Sequence, residues 1–132
     1  MKDGGAEMQD LLQNDTDVLA AVDIYMGVAP NIFNMSLLPD NIDLKKKTIN
    51  HMRISNISGG NLIGDFERQV SCRAYTEALA LVIQSAAFTA LNRKKSLDGS
   101  TFFVAAMLPI IVPQNSSDNY NAPLSVRTIA TK

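Results

Sequence analysis

The stretch from Phe66 to Leu91 constrains the fold more than any other part of the chain. Its first ten residues alternate, with Phe66, Val70, Cys72 and Ala74 on one side and Glu67, Gln69, Ser71, Arg73 and Tyr75 on the other. That is the pattern of a strand with one face in a core and the other among polar groups. Thr76 follows where an N-cap is wanted, and Glu77 suits the positive end of the helix predicted over Glu77 to Leu91. On this helix Leu79, Val82, Ile83, Ala86 and Ala90 form the main stripe, within roughly 50° of one direction at 100° per residue. Leu81 and Phe88 lie nearly opposite, bordered by Glu77, Gln84 and Ser85. Two exposed apolar residues are tolerable on a lone surface. The sharper expectation is that Leu81, Phe88 and Gln84 meet another copy or a partner.

The flanking segments complete an α+β domain. Met8, Leu11, Leu12, Val18, Leu19 and Val22 have helical spacing, interrupted by the cap-like Asn14-Asp15-Thr16, so residues 6–22 form one helix with a weak middle or two short ones. Ile24 to Ala29 suits a short strand ending at Pro30. Ile49 to Ile57 suits another, with Met52 and Ile54 alternating against His51, Arg53 and Ser55. Thr101 to Val112 is apolar on both sides and reads as an interior strand, with Pro109 and Pro113 forcing an edge, bulge or bend. Leu124 to Ala130 is the last strand. The expectation is a single domain over 1–132, with a loose tail at 1–5 and long loops at 31–48 and 113–122. Its core is an antiparallel sheet of about four to five strands with two main helices on one face. Phe33, Leu37 and Leu38 are too apolar for a solvated loop and are expected to pack on the domain or a neighbour.

Little in the chain points to chemistry. The single histidine, His51, has neither a metal-site spacing nor an evident carboxylate and nucleophile beside it. Gly59, Gly60 and Gly64 form no phosphate loop, and no nucleophile elbow is present. Cys72 is the one cysteine, phased into the apolar side of its strand, which implies a buried, inert thiol. The expectation is therefore no enzyme, no metal and no cofactor. No apolar run approaches the ~20 residues of a membrane span, and no secretory leader is evident.

Net charge is −1, against the basic surplus of a general nucleic-acid binder. The charge is unevenly spread, though. Residues 1–43 hold eight acids against Lys2, a net of −7, while residues 44–132 hold eleven Lys or Arg against five acids, a net of +6. Opposed halves of this kind orient head-to-tail association between copies, unless they mark no more than a solvated acidic helix. Lys45, Lys46 and Lys47 and Arg93, Lys94 and Lys95 are the basic clusters; each reads as a solvated edge or as a set of phosphate contacts in a channel.

Several segments, taken in order, resemble one family. They are Leu11 to Val22, then Ile24-Tyr25 and Ala29-Pro30, then Ile54-Ser55-Asn56-Ile57-Ser58-Gly59, then Arg68 to Ala80, and Asn121-Ala122-Pro123 before the last strand. Together they are similar to the tail terminator (tail completion) proteins of long-tailed bacteriophages. The resemblance implies a structural virion protein without catalytic residues, assembled in the host cytoplasm. Such a subunit forms a homo-oligomeric, hexameric ring at the head-proximal end of the tail, capping the tail tube and joining it to the neck connector. DNA passes through the lumen without sequence readout, and no membrane is involved. A head completion or neck connector subunit, and a small non-catalytic partner-binding α+β module, are the competing expectations.

Overall fold

The computed structural model describes residues 4–25, 29–34, 47–56, 65–112 and 120–130. The chain opens with two helices, α1 (Gly5–Gln13) and α2 (Thr16–Ala21). The break between them is capping chemistry: the Asp15 side chain accepts from Val18 N at 3.0 Å, and Asn14 Nδ2 donates back to Asp10 O at 2.8 Å. The start of α1 lies closer to the body than a loose tail over 1–5 implies. Gly4 has φ +84, and a Cβ there would meet Thr128 Cβ at 3.0 Å, so both conformation and space favour glycine.

Strands β1 (Ile24–Tyr25) and β2 (Ala29–Pro30) form a separate antiparallel pair where one short strand was expected. The main sheet has seven strands rather than four to five, and it is partly parallel. It contains β3 (Ile32–Asn34), β4 (Thr48–Asn56), β5 (Asp65–Ala74), β6 (Lys94–Lys95), β7 (Thr101–Met107), β8 (Tyr120–Asn121) and β9 (Leu124–Ala130). Their order is β3-β4-β5-β9-β7-β6, with β8 also on β5. The parallel pair is β3–β4, Ile32 facing Ile49, in a segment expected to be loop. Side-chain and backbone bonds seat it: Asn31 N donates to Asp23 O and Ile49 N to Asn31 O, both at 2.8 Å, and Lys47 N donates to the Asp23 carboxylate at 2.7 Å.

The helix α3 (Glu77–Leu91) follows β5 directly, capped by Thr76, whose hydroxyl accepts from Leu79 N at 3.2 Å. All three helices contribute to a core on one sheet face. Met8, Leu12, Val18, Ile83, Ala87 and Leu91 meet Ile49, Val70, Cys72, Phe103, Leu124 and Val126. The other face carries Glu67, Gln69, Arg73, Ser125 and Arg127. On β7 it leaves Val104 and Ala106 exposed and Phe102 half-buried, so the strand is not covered on both sides by described residues. The β7 strand stops at Met107, short of the expected Val112. Only an isolated bridge, Ile111 to Asn121, continues the pairing, because the proline at 109 has no N–H for a ladder.

Two expected faces differ from the structure, one flipped and one rotated. On β4 the inward residues are Ile49 and His51, opposite Cys72 and Val70, while Met52 is half-buried and Ile54 exposed on the other phase. A register shift between Arg53 and Ser55 bulges Ile54 out of the ladder. On α3 the buried set is Ala80, Ile83, Gln84, Ala87, Ala90 and Leu91, a stripe turned about 100° from the expected one, which is one residue's rotation. Val82 is exposed, and Leu79 and Ala86 are half-buried. The alanine-rich side lets the helix settle close to the sheet, and Gln84 can go inside because its Nε2 group finds two carbonyl acceptors there.

Candidate assembly surface

The single histidine and the single cysteine are both held inside the fold. His51 is fully buried. Its Nδ1 lies 3.0 Å from an Arg68 guanidinium nitrogen and its Nε2 lies 2.6 Å from Gln9 Oε1. A guanidinium only donates, so Nδ1 is the acceptor and Nε2 carries the proton, donated to Gln9. The second Gln9 group, Nε2, donates to Ile32 O at 2.7 Å, and Arg68 also donates to Asn34 Oδ1 at 2.8 Å. Arg68 is 2% exposed, in phase with Val70 and Cys72 on the core side of β5. The phase of the alternation marks it as inward, and its charge hides that from a reading by polarity. Cys72 is fully buried, and burial pushes its thiol well above its ordinary value, which makes it a poor nucleophile. Burial likewise holds the Arg73 guanidinium below its ordinary value, against an opposing effect of Cys72. Among the described residues no group of three His, Cys, Asp or Glu could hold a metal, and no helix is long and apolar enough to cross a membrane.

What the surface offers instead is apolar. Gln84 is buried and donates to Leu108 O at 3.0 Å and Pro123 O at 2.9 Å, pinning α3 to the chain that leaves β7. Leu81 stands one turn before it on that flank, 40% exposed. The segment that Gln84 fastens carries Met107, Leu108, Ile111 and Val112, all exposed, the last two by more than half. Leu108 N bonds Pro123 O, and Ile111 exchanges backbone bonds with Asn121, so this ridge is held by the sheet rather than hanging free. It is the site residue set that sequence patterning missed. Its signal lay in Pro109, at which the strand ends before its apolar residues run out.

The expected contact residues divide accordingly. Leu81 lies on the ridge. Gln84 is spent internally, and Phe88 is half-buried against the core rather than opposite it. Phe33 is half-buried in β3, remote in the sheet order from the ridge; Leu37 and Leu38 lie outside the described residues. Among the cations, Lys45 and Lys46 lie outside the described residues, and Lys47 is half-buried with its backbone bonded to Asp23. Arg93 is exposed and takes φ 59 to turn the chain out of α3. Lys94 and Lys95 form the short outer strand β6, where lysines discourage strand addition. Lys94 and Asp15 line one open cleft of about 240 Å³ with Leu11, Asn14, Thr89, Ala90 and Leu97. Acidic and basic segments therefore meet, at least here, within one copy.

No protein-family model matches the chain, and no curated protein sequence matches it significantly. In three dimensions it is similar to a chain in the solved virion of a native gene transfer agent particle, with a TM-score of 0.62 at 12% identity. The alignment covers 96% of this chain and 92% of that one, so the two share a fold from end to end.

Proposed function

We propose that this chain is a structural subunit of a phage-like particle, a tail terminator. In this reading it forms a ring, six copies in closed symmetry, at the head-proximal end of the tail. The ring caps the tail tube and meets the neck proteins, and DNA crosses its lumen unread. Assembly takes place in the host cytoplasm and the product resides in the virion. The observation that carries the proposal is the end-to-end fold likeness to a chain of a gene transfer agent virion. The apolar ridge of Leu81, Leu108, Ile111 and Val112 supports it, because a face of large aliphatic side chains is stabilised by a partner that removes it from water. A closed ring also needs two different surfaces on each copy. The ridge and the Asp15–Lys94 cleft, which use different residues and draw on opposite ends of α3, are candidates for such a pair.

Light scattering coupled to size separation tests this directly. The expected result is a species near six copies whose population grows with concentration. Leu81→Asp combined with Ile111→Asp is expected to leave thermal stability within about 0.5 kcal/mol, since both side chains are surface-exposed, and to abolish the multimer. A wild-type chain that stays monomeric at high concentration and fails to join purified tail tubes sinks the proposal. Electron microscopy of labelled chain in particles separates a tail-end position from a head-connector position.

A further inference from the structure

We propose that His51 is an acid-sensitive latch that holds α1 on the sheet. The latch rests on the side-chain bonds in which Gln9 of α1 joins His51 of β4 and the Ile32 carbonyl of β3. His51 in turn receives a hydrogen bond from Arg68 of β5, and Arg68 is held by Asn34 of β3. The ring has no further proton capacity in this arrangement. A proton on Nδ1 would turn that acceptor into a donor, aimed at a guanidinium 3.0 Å away, and set two positive charges side by side out of water. Arg68 is nearly fully buried and fastened at Asn34, so moving it breaks that bond as well. The arrangement that yields is the ring and, with it, the Gln9 contact. The charged groups on the elements packed around the ring are Glu7 and Asp10 of α1, Arg53 of β4 and Arg68 of β5; Glu67 and Arg73 of β5 and Arg127 of β9 lie on the opposite sheet face. Because α1 also supplies Leu11 to the Asp15–Lys94 cleft, opening the latch removes part of one wall of that surface while leaving the sheet in place.

His51 is the only histidine of the chain, which makes the test clean. Once released, an imidazole titrates near pH ~6.5. Opening that takes up one proton therefore becomes about fivefold more populated over the first pH unit below that value and approaches tenfold per unit beyond it. Hydrogen exchange, corrected for intrinsic rates, is measured at pH 7.5, 6.5 and 5.5. The expected result is that α1 amides lose about fivefold protection between the last two, β5 and β9 amides keep theirs, and His51→Gln removes the dependence. Protection of α1 that does not change with pH overturns the latch. So does an unchanged slope in His51→Gln, and so does an equal loss across β5 and β9. If His51→Gln does not fold, nitrogen NMR of the single wild-type ring decides. A ring protonated on Nε2 whose protonation coincides with loss of the α1 amide signals supports the latch; a ring that titrates while those signals stay put overturns it.

Discussion

Helices α1 and α3 lie on the same face of the same sheet and are held there by different chemistry. Under α3 the contact is almost wholly apolar: Ala80, Ile83, Ala87 and Leu91 are fully buried in one core cluster, and Gln84 is the one polar member, satisfied by two carbonyls. Under α1 the apolar part is Met8 and Leu12, and beside it runs the chain Gln9–His51–Arg68–Asn34. Apolar contact scales with area and tolerates small shifts. A buried polar chain depends on every member being paired. The first kind of attachment weakens in proportion to what is removed; the second fails when one proton or one partner changes.

The sharpest way to break this contrast is to damage each attachment in turn. Ile83→Ala removes a fully buried side chain under α3 and is expected to cost about 2–5 kcal/mol, read by denaturant unfolding as a single shifted transition. Gln9→Ala leaves the His51 Nε2–H and the Ile32 carbonyl without this partner and is expected to cost about 1–3 kcal/mol, with loss of exchange protection concentrated in α1. A uniform loss in the second variant, matching the first, would erase the distinction. The smallest effect lies on the apolar side. The Cys72 thiol is held protonated in the fold, while the unfolded chain releases its proton near pH ~8.5–9. Its folded value is the higher, so the thiol's contribution is complete below the unfolded value and declines as pH rises above it. Wild type is expected to lose about 1 kcal/mol more than Cys72→Ala by pH 9.5, and thiol reagents are expected to label Cys72 only on unfolding.

The legible parts of the fold were those whose signal is local. The strand-to-helix unit of β5 and α3, the Thr76 cap, the break at Asp15 and the last strand each follow from neighbouring residues. The parallel strand β3 has only three residues and no period of its own; its partner Ile49 is seventeen positions away. The inward His51 defied polarity because the groups that satisfy it, Gln9 and Arg68, are 42 and 17 residues distant. The rotation of α3 turned on whether Gln84 could find acceptors, and those belong to Leu108 and Pro123, which no helical wheel contains. Of the candidate surface, Leu81 was read correctly as apolar and exposed. The ridge beside it was taken for strand interior because composition records greasiness and not whether a second layer exists to cover it.

The bulge at Ile54 carries a consequence for how this chain can vary in length. Because side chains along a ladder point alternately, losing a residue from most of β4 would swap its inner and outer lining and eject Ile49 and His51 from the interior. At Ile54 the count is already one too many, so a deletion there would square the ladder and leave those two residues where they stand. The strand thus holds a slack link, through which one residue can be lost without scrambling the frame.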